Sequence, residues 1–179
     1  SASTDGAFDV TIGPIINAWG FGSSKQDSLP ESKLEYLKTI CGYNKVRIEN
    51  NRVIKDNPEM ILNYNAVAQG FSVDIIGRFF SNLGIENYLI DVGGEVLAKG
   101  TKPNKELWNI GIEKPSESQN AERKLFSTLK ITDKAVATSG NYRKYYIKNG
   151  VKISHTIGPK TARPVTHNLL SVTVVAKTA

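Results

Sequence analysis

The chain lacks several features that identify large classes of proteins. It has a single cysteine, Cys41, so no disulfide can form within its 179 residues. No window approaches the run of about 20 apolar residues that a membrane-spanning helix needs. The first residues show neither the charged start nor the apolar core of a signal peptide. If the natural protein is exported, its export signal lies outside this sequence.

Charge of one sign is not concentrated anywhere in the chain. The 23 Lys and Arg residues outnumber the 17 Asp and Glu residues, and the net charge of +6 suits an anionic partner such as a nucleotide. The basic residues are scattered and form no run of the kind typical of nucleic-acid binders. We therefore predict no nucleic-acid partner, and we keep a polyanion-binding module as an alternative. The length suits one domain, without internal repeats or a low-complexity linker.

Three segments have the patterns of helices. In the first, Asp9 is expected to cap a short amphipathic helix whose apolar residues lie within 12–19. The alternative is that Phe8 and Asp9 lie at a ligand pocket. The second is expected to begin at the capping-box spacing of Ser28 to Glu31 and to end near Gly42. The third is long and ends at Gly84, with a broad apolar face. That face contains Phe71, Val73, Ile75, Ile76, Phe79, Phe80 and Leu83.

Strand patterns outnumber the helical ones and are joined mostly by short turns. This balance favours an α+β fold with a largely antiparallel sheet and packed helices. The expected strands are 46–48, 52–54, 60–62, 87–92, 96–98, 107–112, 125–131, 145–147, 151–153 and 168–176.

The stretch from Ala135 to Pro164 is the richest in chemical groups. An apolar run at 135–137 is expected to end in a loop of Thr138, Ser139, Gly140 and Asn141, whose hydroxyls and backbone N–H groups can hold an anion. Asn149-Gly150 between two strand-like runs predicts a hairpin. The hairpin returns the chain to His155, which we expect beside that loop as a candidate for proton transfer. A structural or solvated histidine is the alternative.

Five sequence blocks occur in an order that resembles the ApbE family of flavin transferases, the FAD:protein FMN transferases once described as thiamine-biosynthesis lipoproteins. The resemblance covers nearly the whole chain and implies one ApbE-like, T-fold-like domain over residues 1–179. The blocks are GAFDVTIGP followed by WGF, then AVAQGFSVD, DVGGE with the following Trp108 to Pro115, ATSGNYR, and HTIGPKTARP.

The resemblance implies a reaction and a set of site residues. Members of the family move FMN from FAD onto a threonine hydroxyl of a target protein, releasing AMP and using Mg²⁺. By this resemblance His155 is the base, and the backbone oxygen of Ala66 helps to hold the metal. The FAD-contacting or pocket-lining positions are Ala7, Phe8, Asp9, Asn63, Gln69, Thr138, Ser139, Gly140 and Ile157. For Glu95, after the paired glycines, a structural turn is the preferred interpretation.

The chain departs from the family pattern at a few positions. The family usually has Asp where this chain has Asn63 and Gly158, Gly where it has Ala162, and often Lys or Glu at Gln69. The family's N-terminal FAD-covering segment and its C-terminal metal-binding segment are not found, so we expect an internal fragment that does not have full activity alone. A non-catalytic FAD-binding protein and an FAD pyrophosphatase of the same fold are the alternatives. The resemblance also implies a cell-envelope location, periplasmic or as a membrane-anchored lipoprotein.

Overall fold

A computed structural model describes residues 1–22, 29–116, 122 and 124–179. Its backbone contacts divide the chain into two compact units. Unit 1 comprises Ser1–Tyr64 and Tyr145–Thr166, and unit 2 comprises Asn65–Lys144 and His167–Ala179. The single ApbE-like domain over residues 1–179 stays a prediction, because this division by contacts does not test it.

The elements are numbered here along the chain. The helices are α1 (Gly13–Ala18), α2 (Glu31–Ile40) and α3 (Ala68–Asn82), with short 3-10 helices at Ala2–Thr4 and Tyr43–Lys45. The strands are β1 (Val46–Glu49), β2 (Arg52–Lys55), β3 (Tyr88–Val92), β4 (Glu95–Lys99), β5 (Trp108–Glu113), β6 (Leu125–Ile131), β7 (Lys134–Gly140), β8 (Tyr145–Lys148), β9 (Val151–Ser154), β10 (Ile157–Gly158), β11 (Arg163–Pro164) and β12 (Ser171–Ala176). Within the described ranges, none of the helices combines the length and the apolar character that crossing a bilayer requires.

In the part of unit 1 that the structure describes, helices α1 and α2 are accompanied by antiparallel hairpins. The hairpins are β1–β2, β8–β9 and β10–β11. The predicted hairpin at Asn149-Gly150 is confirmed, because both residues have positive φ, 49° and 74°, as a type I′ turn requires. The core brings α1 and α2 together with residues of the β10–β11 region. Its buried members are Ile15, Ala18, Leu34, Leu37, Ile40, Ile157 and Ala162.

Unit 2 is built on a four-stranded antiparallel sheet in the order β12-β7-β4-β3. Helix α3 packs on one face, where Val73 meets Tyr88 and Ile90. The β5–β6 hairpin packs on the other face against Val96 and Val136 of the sheet. Since neighbouring residues of a strand point to opposite faces, one sheet can support both layers. This arrangement confirms the predicted α+β class and its largely antiparallel sheet.

The face of α3 that the sequence marked as apolar is only partly buried. Val73 is fully buried, and Ile76 and Phe80 pack beside it. Phe71, Ile75, Phe79 and Leu83 are 44–62% exposed, so only part of the predicted apolar face is covered by the sheet. The sheet lies against one side of the helix, and the four residues form a second row, spaced four residues apart, that the sheet does not cover.

Two other local expectations differ from the structure. Residues 60–62 form no strand, and Ile61 makes only an isolated parallel bridge with Ile12. Helix α2 begins at Glu31 with Pro30 as its N-cap and without a capping side chain. The predicted capping residue Ser28 lies outside the described residues. The end of α2 at Ile40 agrees with the prediction of an end near Gly42.

Asp9 does not cap the first helix, contrary to the prediction. The residue before α1 is Ile12, and Pro14 in the first turn lacks one of the N–H groups that a cap would serve. The buried Asp9 carboxylate instead accepts hydrogen bonds from the Thr11 N–H and hydroxyl, at 2.8 and 2.7 Å, and from the Tyr43 N–H, at 2.9 Å. The Thr11 hydroxyl oxygen in turn accepts from the Gly42 N–H at 2.7 Å. This network attaches the loop after α2 to the start of the chain.

Asp9→Ala should therefore destabilise unit 1. The substitution removes three hydrogen bonds and leaves the N–H groups of Thr11 and Tyr43 without an acceptor, so we expect the free energy of unfolding to fall by about 2–4 kcal/mol. Urea denaturation followed by circular dichroism measures the change. Asp5→Ala is the matched control, because Asp5 is fully exposed and pairs with Lys160 at the surface, and it should change little. Equal effects of the two substitutions would contradict a structural role for Asp9.

The Cys41 thiol should react slowly in the folded protein. Cys41 is partly buried beside the unit 1 core, and this burial raises its pKa from 9.0 to about 11, with the Asp9 charge adding to the rise and Lys45 opposing it. At pH 9 the folded thiol should be alkylated by iodoacetamide roughly fiftyfold more slowly than the urea-unfolded thiol, from the thiolate fractions at these pKa values. Because the raised pKa favours the neutral thiol, its contribution to stability is complete below pH 9 and is lost as the pH rises towards 11. Equal alkylation rates would show that the thiol is not protected.

Candidate functional site

Unit 1 brings together most of the predicted residues that come from three separate parts of the sequence. The Asn63 N–H donates to the Val10 carbonyl at 2.7 Å, which places Asn63 next to the segment Ala7–Asp9. Lys160 pairs with Asp5 at 2.8 Å and brings the segment after His155 to the start of the chain. Unit 1 therefore gathers the candidate residues Ala7, Phe8, Asp9, Asn63, His155 and Ile157.

The predicted contact residues at the start of the chain are not equally available to a ligand. Ala7 is exposed and Phe8 is half-buried, so both can reach a nucleotide. The Asp9 carboxylate is already occupied by Thr11 and Tyr43. A contact of Asp9 with FAD therefore stays a prediction. Such a contact would use the Asp9 backbone, because its carboxylate already accepts hydrogen bonds within the protein.

His155 lies between β9 and β10 and is half-buried. The rings of His155 and Phe21 meet edge to face. Their centroids are 6.3 Å apart, and the angle between the ring planes is 68°. Phe21 in turn stacks against Tyr146, and the Tyr146 hydroxyl donates to the Trp19 carbonyl at 3.0 Å. Aromatic packing thus orients the imidazole while part of the residue stays accessible, as a base acting on a bound substrate requires.

The segment after His155 contributes its backbone more than its side chains. The Ile157 side chain is buried in the unit 1 core, so a nucleotide contact at this position has to use the main chain. Ala162 is also buried, has a φ of 57°, and accepts a hydrogen bond from the Trp19 indole N–H at 2.8 Å. That φ explains why glycine would be the usual residue there: an L side chain in this region costs about 1 kcal/mol, which the burial of the Ala162 methyl group offsets.

The remaining predicted residues belong to unit 2. Ala66 is exposed in the turn before α3, and Gln69 is exposed in the first turn of that helix. The end of the Gln69 side chain lies against Gly93 in the turn between β3 and β4. Thr138, Ser139 and Gly140 lie on β7. We predicted that His155 lies beside residues 138–141. Because His155 belongs to unit 1 and those residues to unit 2, this stays a prediction.

The predicted loop at Thr138–Gly140 is part of strand β7, so this expectation is corrected. The three residues pair with Thr173, Val172 and Ser171 of β12, which takes up backbone groups that an anion-binding loop would offer. Thr138 and Thr173 also share a hydrogen bond between their hydroxyls at 2.8 Å. On the other side, the pairing of β7 with β4 reaches only Val136. The edge of residues 137–140 on that side is therefore not paired with β4, and ligand contacts there would come from this edge and from the exposed side chains.

Among the described residues, two buried side-chain oxygens have no hydrogen-bond partner, and neither belongs to a residue that was predicted to contact FAD. They are Glu95 Oε2 and Asn141 Oδ1, both in unit 2. Burial raises the pKa of Glu95, the Asp91 charge raises it further, and a backbone hydrogen bond opposes the shift. A buried acceptor without a partner costs about 1–3 kcal/mol, so such atoms are characteristic of sites that bind a ligand or water. Their positions in the motifs DVGGE and TSGNY were the available signal, but burial cannot be obtained from a motif.

The described residues do not by themselves form a metal centre. No three His, Cys, Asp or Glu side chains lie close enough together, within the described ranges, to hold an ion. Ala66 offers one backbone carbonyl, and oxygen is the ligand type that Mg²⁺ prefers. A magnesium ion in a nucleotide site takes many of its other ligands from phosphates and water, so the Ala66 carbonyl suits part of such a site and not the whole.

Comparisons with known proteins agree on one family. The model of the ApbE family matches residues 1–179. An FAD:protein FMN transferase from Vibrio cholerae is 40% identical over 176 residues, covering 97% of this chain and 52% of the relative. The enzyme of that name from Escherichia coli K12 is 36% identical over 184 residues, covering 99% of this chain and 52% of the relative.

Solved structures give the same result for the fold. The flavin transferase ApbE from Vibrio cholerae has a TM-score of 0.84 at 38% identity, covering 99% of this chain and 56% of that chain. The ApbE protein from Thermotoga maritima has a TM-score of 0.85 at 26% identity, covering 99% and 57%. This chain thus spans about half the length of the relatives that it matches. The ordered motifs, the fold and the match over all 179 residues agree, and the chain belongs to the ApbE family.

Proposed function

We propose that the protein to which this chain belongs transfers FMN from FAD to a threonine hydroxyl of a target protein and releases AMP. The observation that carries the proposal is the match of the ApbE family to the whole chain, together with relatives named FAD:protein FMN transferase at 36–40% identity. Because the chain spans only about half of these relatives, the complete activity is proposed for the protein and not for these residues alone.

The proposed reaction assigns His155 as the base. Its imidazole takes the proton from the threonine hydroxyl of the acceptor as the hydroxyl oxygen attacks the FMN phosphorus. A new bond forms between that oxygen and phosphorus, and the pyrophosphate bond to AMP breaks. The half-buried position of His155 beside Phe21 supports this role, since the aromatic contact orients the ring while part of the residue stays accessible to solvent.

The resemblance assigns FAD contacts to residues of each unit, and in unit 2 these are Gln69 and the β7 residues Thr138, Ser139 and Gly140. Mg²⁺ dependence is part of the proposal, with the Ala66 carbonyl as one ligand. Bound Mg²⁺ would neutralise charge on the pyrophosphate. Asn63 and Gly158 lack the carboxylates that the family usually has, so they are the first positions to examine if metal affinity is low.

The partner and the location are proposed on the resemblance alone. The acceptor is a protein with a target threonine, and the site of action is the cell envelope, with the protein periplasmic or anchored as a lipoprotein. Fractionation of cells that carry a tagged protein checks the location, and recovery of the protein in the cytoplasmic fraction would contradict it.

His155→Ala should greatly slow FMN transfer while FAD binding persists. The test uses the complete chain that the gene encodes, with FAD, Mg²⁺ and a threonine-containing acceptor peptide, and mass spectrometry detects the added FMN. We expect a loss of transfer of about 10²–10⁴-fold, the usual contribution of a general base. His167→Ala is the matched control, because His167 is the other histidine of the chain and is exposed in unit 2, and it should retain activity.

The same experiment separates the alternative functions. Binding of FAD without transfer by the unmodified protein would identify a non-catalytic FAD-binding protein. Release of both FMN and AMP without labelling of the peptide would identify an FAD pyrophosphatase. Full transfer by the His155→Ala protein would remove His155 from the proposed mechanism and leave the transferase activity in place.

A further inference from the structure

The turn between β3 and β4 contains two adjacent glycines with different surroundings. Both have positive φ, 65° at Gly93 and 102° at Gly94. A Cβ atom on Gly94 would meet nothing within 4 Å. A Cβ atom on Gly93 would lie 2.0 Å from the Gln69 side-chain nitrogen and 3.2 Å from its amide carbon. The space that a side chain at position 93 would need is therefore filled by the Gln69 amide.

The turn is held in place independently of Gln69. The Asp91 carboxylate accepts a hydrogen bond from the Gly94 N–H at 2.9 Å, and β3 and β4 are paired up to Val92 and Glu95. Helix α3 is fixed to the same two strands, because Val73 packs in one cluster with Tyr88 and Ile90 of β3 and with Leu97 of β4. The backbone at Gly93 is thus held in position, and the conformation of the Gln69 side chain adapts to it.

We infer that Gly93 is a positioning residue for Gln69. Its missing side chain lets the Gln69 amide lie against the β3–β4 turn and so directs the amide that the proposed function assigns to FAD. The inference rests on the proposed function, because only that function assigns the Gln69 side chain to FAD. Glu95 begins β4 directly after this turn, and one of its carboxylate oxygens is buried without a hydrogen-bond partner among the described residues, which is a second sign that a ligand binds here.

Gly93→Ala should displace the Gln69 amide without unfolding unit 2. The atom in the way is the end of a flexible side chain, which can rotate to another conformer. We expect FAD to bind about three- to tenfold more weakly, the loss that follows when one hydrogen bond from an uncharged amide is removed. Titration of the complete chain with FAD, followed by flavin fluorescence, gives the Kd. The Gln69 side-chain amide signal in a ¹H–¹⁵N spectrum of the FAD-free protein should move as well.

Gly84→Ala is the matched control for backbone strain. Gly84 is also in unit 2 and has a φ of 76°, but a Cβ there would meet nothing within 4 Å. Both substitutions should lower the melting temperature by a similar amount, and only Gly93→Ala should weaken FAD binding. If Gly93→Ala proves much less stable than Gly84→Ala, Gly93→Asn is the second variant, because asparagine tolerates this backbone region best among residues with side chains.

A double-mutant cycle decides whether Gly93 acts through Gln69. Gln69→Ala should weaken FAD binding, and adding Gly93→Ala to it should cause no further loss, because the displaced amide is already absent. Additive losses would overturn the inference, as would an unchanged Kd in Gly93→Ala. If Gln69→Ala itself leaves the Kd unchanged, the inference fails together with the assignment of Gln69 to FAD. FMN transfer by the unmodified protein would still test the proposed reaction separately.

Discussion

Hydrogen bonding between segments that are far apart in the sequence is the constraint on which both units depend. In unit 1, the Asn63–Val10 bond and the Asp9 network attach the chain start to the residues that follow α2. In unit 2, β7 pairs with β12 from Ala135 to Gly140 and with β4 from Lys134 to Val136. Each of these contacts lies at or beside a position that the family resemblance marks for FAD. The candidate residues are thus presented by paired backbone, which limits how far they can move.

The sequence predicted local structure well where a local signal existed. Asn149-Gly150 specified its hairpin because few residues other than Asn and Gly adopt positive φ at both turn positions. The third helix was evident from its apolar period, and the α+β class from the number and spacing of the strands. These features depend on residues that are neighbours along the chain, and short-range sterics and hydrophobic period are enough to decide them.

The predictions that the structure corrected all depend on residues that are far apart along the chain. Thr138-Ser139-Gly140 is typical of a loop by composition, yet pairing with β12, about 30 residues later, makes it a strand. Asp9 is a residue type that often caps helices, but its carboxylate accepts hydrogen bonds from Thr11 and Tyr43 instead. On α3, period alone could not show which of two apolar rows meets the sheet. In each case a tertiary partner overrides a local preference, and a single sequence does not identify that partner.

The candidate site shows why a motif and its geometry carry different information. The resemblance named nearly all the candidate residues at once, because a family motif records which positions are used. It assigns the same residue type to Gly93 and Gly94 and does not separate their roles. Only coordinates show that one of them faces Gln69 and the other open space. Glycine can be required by backbone φ, by a close neighbour or by both, and a side chain at position 93 conflicts with both requirements. The paired glycines therefore combine a tight turn, which either residue serves, with a close approach that depends on Gly93 alone.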